Sequence, residues 1–195
     1  ELSRPEKASG LELFANAVMN GGGLKDHSND ELAAIMAGKK VGVGFSMTDR
    51  FFLLSGNTNR EDLETQLQLQ TAYLMHPGYR QDGVTLLRRA IPMIYNKMDH
   101  EVQGAMKKQV PSILYRNNPR FTFPTQEQLT SYQVKDVRDW VDAPLKNNYM
   151  EVTVTGDFRT EDIIPLLERT VGAVPKRAEA PATLDETLRH PAMAD

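Results

Sequence analysis

The sequence has no cysteine among its 195 residues. That absence excludes disulfide frameworks, thiol nucleophiles, iron–sulfur clusters and cysteine zinc sites together. It contains no run of about 18 apolar residues, the length that reads as a membrane-spanning helix. It also has no basic block: 23 Lys and Arg are spread along the chain against 26 Asp and Glu, for a formal net charge of −3. Neither the electrostatic footprint of a nucleic-acid binder nor a polybasic membrane anchor is present, so neither nucleic acid nor membrane is expected as a partner. The common catalytic signatures are missing too: HExxH, HxxEH, Gly-x-Ser-x-Gly and the Walker-type glycine loop. Gly42-Val43-Gly44 lacks the third glycine and the strand-to-helix context of a dinucleotide site, and reads as a strand whose glycines allow close packing.

What remains is the composition of a globular domain. Apolar residues make up 40% and charged residues 25%. A chain of this size buries roughly 70% of its unfolded surface when it folds. It starts at Glu1 rather than Met, so it reads as processed or excised, and the lack of a signal segment says nothing about its compartment.

The four histidines are His27, His76, His100 and His190. None has a second histidine three or four residues away, the spacing that places two ligands on one helical face, so no metal site is expected from them. Asp99-His100-Glu101 points in different directions on a helix and reads as a solvated junction. Gly21-Gly22-Gly23 has two readings. One is a helix terminator with a tight turn; the other is a flexible loop against which a substrate backbone lies.

Periodicity orders the chain. Ser9 is placed to cap a helix whose Leu11, Phe14, Ala15, Val18 and Met19 share one face. Ser28 and Glu31 form a capping box for a second helix that stops at Gly38. Val41, Val43, Phe45 and Met47 alternate as a strand, Thr48-Asp49-Arg50 turns, and Phe51 to Gly56 returns antiparallel. Leu63, Leu67, Thr71 and Leu74 mark a helix ending before Pro77-Gly78. A long helix runs from Val84 to Met98, with Pro92 expected to kink or divide it, and a further one from Val102 to Ile113. Thr125 and Gln128 form another capping box, and Val134 to Val141 a short helix with the only tryptophan, Trp140. Met150, Val152 and Val154 alternate as a third strand. Thr160 caps a last helix that Gly172 stops. This order predicts an α+β fold, helices on one face of a largely antiparallel sheet. Three strands are few for so many helices, so the sheet is expected to lack its first strands. Residues 9–177 read as the domain and 178–195 as a linker rich in Ala, Pro and charge.

These pieces resemble, in order, the insulinase/pitrilysin-type zinc metallopeptidases. In catalytic domains of that family a helix of the form Gly-Leu-x-His-x-x-Glu-His leads to a Gly-containing turn, a Ser-capped helix, a hairpin, and a helix ending near Pro and an aromatic residue. Here Gly10-Leu11 opens the helix, Gly22 holds the turn, and Ser28 to Leu32 starts the second helix. The hairpin and then Asp62 to Tyr79 follow, and Val154-Thr155-Gly156-Asp157-Phe158 with Val171-Gly172-Ala173-Val174-Pro175 resembles the family's close. The resemblance spans about residues 10 to 177.

Aligned on Gly10-Leu11, the first zinc histidine falls on Leu13, the glutamate base on Asn16 and the second histidine on Ala17. The stretch matching the third ligand, Pro92-Met93-Ile94-Tyr95, has no carboxylate. The resemblance therefore implies a degenerate, non-catalytic domain without its own metal. Zinc would be held by the catalytic domain of a parent protein, bacterial and periplasmic, and partners would be that protein's other domains or a catalytic subunit, with a peptide substrate between them. Its alternative is a purely structural subunit like the respiratory-chain core proteins of the same family. A third possibility, an independent enzyme, would need a pocket uniting His27, Asp49 and Arg50.

Overall fold

The structure, a computed structural model, describes residues 8–48, 51–119 and 121–180. The element order is α1 (Leu11–Gly21), α2 (Asn29–Ile35), β1 (Gly44–Met47), β2 (Phe52–Ser55), α3 (Leu63–Met75), α4 (Gln81–His100), α5 (Val102–Leu114), α6 (Gln126–Ser131), α7 (Val134–Asn147) and α8 (Thr160–Arg169), with a 3-10 turn at Val171–Ala173. The fold is α+β. The turn residues Asp49 and Arg50, His190 and most of the 178–195 segment lie outside the described residues.

α1 is the hub. Its apolar face, Leu11, Phe14, Ala15, Val18 and Met19, is buried as the spacing predicts. α4, α7 and β1 pack round it, and the core continues through Val84, Ile91, Val137, Trp140, Val141 and Leu145. The hairpin lies over this layer. Phe52 meets Trp140 edge-on, with ring centroids 5.8 Å apart, and Phe45 packs beside Phe52. A smaller cluster of Leu32, Leu69 and Tyr73 holds α2 to α3.

Both capping boxes form as read. Ser28 accepts from the Glu31 N–H while Glu31 accepts from the Ser28 N–H, and Thr125 and Gln128 do the same. Other elements differ. Ser9 does not cap α1: its hydroxyl donates to the Thr122 carbonyl at 2.8 Å. Gly10, at φ +82°, takes the cap position, because a Cβ there would lie 2.4 Å from the Pro124 ring. α2 ends at Ile35, and Gly38 follows in a left-handed turn. α4 runs unbroken through Pro92, and the break falls at Glu101. Pro92 removes one bond to the Arg88 carbonyl, a local loss on the exposed side of the helix. α7 extends to Asn147, and the carbonyls of Leu145, Lys146 and Asn148 at its end accept from the Arg177 guanidinium. Arg159, not Thr160, precedes α8, and α8 ends at Arg169 before Gly172.

The largest departure is in the sheet. It has two strands among the described residues, antiparallel, pairing Gly44↔Ser55, Phe45↔Leu54, Ser46↔Leu53 and Met47↔Phe52. Met150, Val152 and Val154 form no ladder there. β1 also starts later than the Val41 alternation suggests. The Gln66 side-chain amide donates to the Gly42 carbonyl and accepts from the Gly42 N–H, both at 2.9 Å. A primary amide is an isostere of a peptide unit, so Gln66 substitutes for a strand neighbour at that point. Gly56 must be glycine, since a Cβ would sit 2.2 Å from the Gln66 nitrogen.

Two outcomes are expected. Gln66 is buried, so Gln66→Leu should keep the volume, strand both Gly42 groups and cost about 1–3 kcal/mol in chemical denaturation. Ser28 hydrogen bonds hold the Glu31 carboxyl below its ordinary range. Its contribution is present above the unfolded value and lost as pH falls through the lowered folded one. The stability gap between wild type and Glu31→Gln should therefore narrow on acidification, read by thermal melts from neutral pH to pH below the carboxylate range.

Candidate functional site

The side of α1 away from the core carries Leu13, Asn16, Ala17 and Asn20, at i, i+3, i+4 and i+7. Leu13 is 36% exposed, Asn20 is exposed, and Asn16 and Ala17 are half-buried. The three positions matched to the zinc ligands and the general base thus lie together on one stripe, one helical turn apart.

α4 runs beside that stripe at very short range. A Cβ on Gly21 would lie 2.4 Å from the Gly83 Cα, and a Cβ on Gly83 would lie 2.1 Å from the Ala17 carbonyl oxygen. Only glycine at both positions lets the helices approach this closely. From Gly83, the residues at i+4, i+7 and i+11 on α4 are Leu87, Ala90 and Ile94. Of these, Leu87 packs on the core and Ile94 is 37% exposed. Among the described residues no group of three or more His, Asp or Glu side chains is placed to hold a metal ion.

Asn16 contributes the one buried polar atom of the stripe, an Oδ1 without a hydrogen-bond partner. A carboxamide accepts hydrogen bonds but does not take a proton near neutral pH, so it cannot act as the base a glutamate would be. Asn20 closes the end of the site. Its Nδ2 donates to the Phe45 carbonyl at 2.8 Å and its Oδ1 accepts from the Phe45 N–H at 2.7 Å.

The glycine turn lies at the same end. Gly22 and Gly23 are buried, Gly23 has φ +63°, and a Cβ on Gly78 would lie 2.1 Å from the Gly22 carbonyl oxygen. Gly78 N–H donates to Gly23 carbonyl at 2.9 Å, Lys25 N–H to His76 carbonyl at 2.9 Å, and Leu24 forms a bridge with Pro77. In this geometry the three glycines pack backbone against backbone. His27, His76 and His100 are all exposed and on separate elements.

Sequence reasoning passed over Tyr79. It sits in the left-handed region at φ 47°, buried, beneath the Arg138 guanidinium at 5.3 Å. Burial, then the negative charge of Asp142, pushes its phenol well above the ordinary value, so it stays a neutral hydroxyl and is no candidate base. Its residue type gave no signal of this, since positive φ is uncommon for a bulky residue other than glycine.

No protein-family model matches the chain. It is 21% identical over 148 residues to the chloroplastic stromal processing peptidases of Pisum sativum and Arabidopsis thaliana, matching 75% of this chain and 12% of each relative. The periplasmic protease PqqL from Escherichia coli shares the fold at TM-score 0.68 and 19% identity, over 94% of this chain and 20% of that one. The ferredoxin protease FusC, in complex with Arabidopsis ferredoxin, matches at 0.64 and 17%, again over 20% of its length. A protease from Helicobacter pylori matches at 0.67 and 13%, over 44% of its length. At these identities the structural likeness establishes the fold, and the chain spans about an eighth of the curated relatives it matches.

Leu13→His with Ala17→His should create a divalent-metal site on the α1 stripe at i, i+4 spacing. Zinc at about 100 times its Kd should then stabilise the variant by about 2.7 kcal/mol and leave wild type unchanged. A double variant whose melting temperature ignores zinc would show that the stripe is closed.

Proposed function

We propose that this chain is a non-catalytic module of an insulinase/pitrilysin-type zinc metalloendopeptidase, which walls part of the chamber enclosing a peptide substrate. The observation that carries the reading is the residue content of the α1 stripe beside α4. The positions matched to two histidines, a glutamate base and a distal carboxylate hold Leu13, Ala17, Asn16 and the Pro92–Tyr95 stretch. An active site of this type holds Zn²⁺ between three ligands while the motif glutamate takes a proton from the bound water. Leu13 and Ala17 have no donor atom, and Asn16 has no basic one. The scaffold that would aim those groups remains, with α1 and α4 in contact through Gly21 and Gly83.

On this reading zinc belongs to a catalytic domain elsewhere, in the same polypeptide or in a partner subunit, and the parent acts in the periplasm. Support for the peptidase association comes from the proteases that share the fold and from the stromal processing peptidases that share sequence over 148 residues. What this module contributes is surface and shape, without chemistry of its own.

The test is metal content by elemental analysis, and hydrolysis of an unfolded peptide, for the chain alone and mixed with the remaining domains of its parent. The expected result is no stoichiometric zinc and no cleavage alone, with cleavage by the mixture well above that of the catalytic part by itself. Stoichiometric zinc or hydrolysis by this chain alone would sink the proposal, as would a catalytic part that works equally well without it.

A further inference from the structure

Asn20 and Gly21 form the single Asn-Gly pair of the sequence. Such a pair carries a chemistry that needs no enzyme. The Gly21 backbone nitrogen, with no Cβ beside it to hinder approach, attacks the Asn20 Cγ. A C–N bond forms, the Cγ–Nδ2 bond breaks, and ammonia leaves behind a five-membered succinimide. Water then opens the ring at one of its two carbonyls, giving aspartate or isoaspartate at position 20. Asn20 is exposed, so burial bars neither the entry of water nor the departure of ammonia.

The fold bars the first step instead. Attack requires the Asn20 side chain to swing onto the following peptide nitrogen. Its Nδ2 donates to the Phe45 carbonyl and to the Asn16 carbonyl, at 2.8 Å each, and its Oδ1 accepts from the Phe45 N–H at 2.7 Å. These three bonds hold the carboxamide against β1 and the preceding turn of α1. The nucleophile is held as well. Gly21 is the last residue of α1, where its N–H is directed back at the Ala17 carbonyl. Its Cα is packed so closely that a Cβ would lie 2.4 Å from the Gly83 Cα. Neither group can turn toward the other until the corner made by α1, β1 and α4 opens.

The product does not fit the place that the carboxamide occupied. An ionised carboxylate has no hydrogen to donate, so the atom replacing Nδ2 sets a negative oxygen against two carbonyl oxygens. It also puts a negative charge at the C-terminal end of α1, the unfavourable end for one. Isoaspartate lengthens the main chain by one methylene as well, directly beside the tight approach of Gly21 to Gly83.

We propose that Asn20-Gly21 is a modification site that folding keeps unreacted: it deamidates when the α1–β1 corner opens, and the product unties β1 from α1. Each opening exposes the chain to irreversible damage, and the frequency of opening at this corner sets how long the chain stays intact. The proposal does not rest on the peptidase reading.

Peptide mass mapping tests it on the 195-residue chain, held at neutral pH either folded or in guanidinium chloride. Conversion of Asn20, located by fragmentation, should be at least about 100-fold faster in denaturant, because the folded chain reacts only through its open fraction. A second arm takes Asn20→Asp, the product with an unaltered main chain. Its melting temperature should fall about 3–10 °C below that of wild type, and the rate comparison stands even where this variant fails to fold. Equal rates in the two states would overturn the proposal, as would an Asn20 that survives in denaturant. So would an Asn20→Asp variant that melts with wild type, which would show that the corner tolerates the product.

Discussion

The crossing of α1 and α4 governs the rest of the molecule. Gly21 stands against Gly83, and Gly83 against the Ala17 carbonyl, at separations that leave no room for a Cβ. Close-packed interiors respond to a single methylene, so larger side chains here would force the two helices apart along their whole contact. The same corner is fixed from outside by Gly22 against Gly78 and by the Leu24–Pro77 bridge.

Within this frame the side-chain amides of Asn20 and Gln66 act as fragments of β-structure. Each bonds both polar groups of one backbone residue, Phe45 and Gly42 respectively. Together they hold β1 at one edge and at its start, and so decide where the ladder begins. That arrangement keeps a short sheet attached to a helical layer by polar contacts as well as by Phe45 and Phe52.

The α1 stripe makes clear what was and was not readable beforehand. Leu13, Asn16 and Ala17 were picked out by the resemblance aligned on Gly10-Leu11, and the 3.6-residue helical period puts them on one face. The buried face of α1, the two capping boxes and the hairpin were legible for the same reason: each depends on residues a few positions apart. Ser9 as a cap was not, since its hydroxyl goes to Thr122, more than a hundred residues away. Nor was the pairing of Gln66 with Gly42, which shortens β1. The third strand failed likewise, because alternation in Met150, Val152 and Val154 shows a capacity for pairing while pairing itself needs a neighbour.

The sequence by itself determined the local periodicities and the α+β class, because these follow from residue type and short spacing. Tertiary structure alone decided how near α4 comes to α1, that Gly21, Gly22 and Gly23 meet backbone, that Tyr79 is held at positive φ, and where the hairpin ladder begins. Each of those depends on atoms brought together from distant parts of the chain, and the relevant quantity is a clearance of a few tenths of an ångström. No pattern of residue types carries that information.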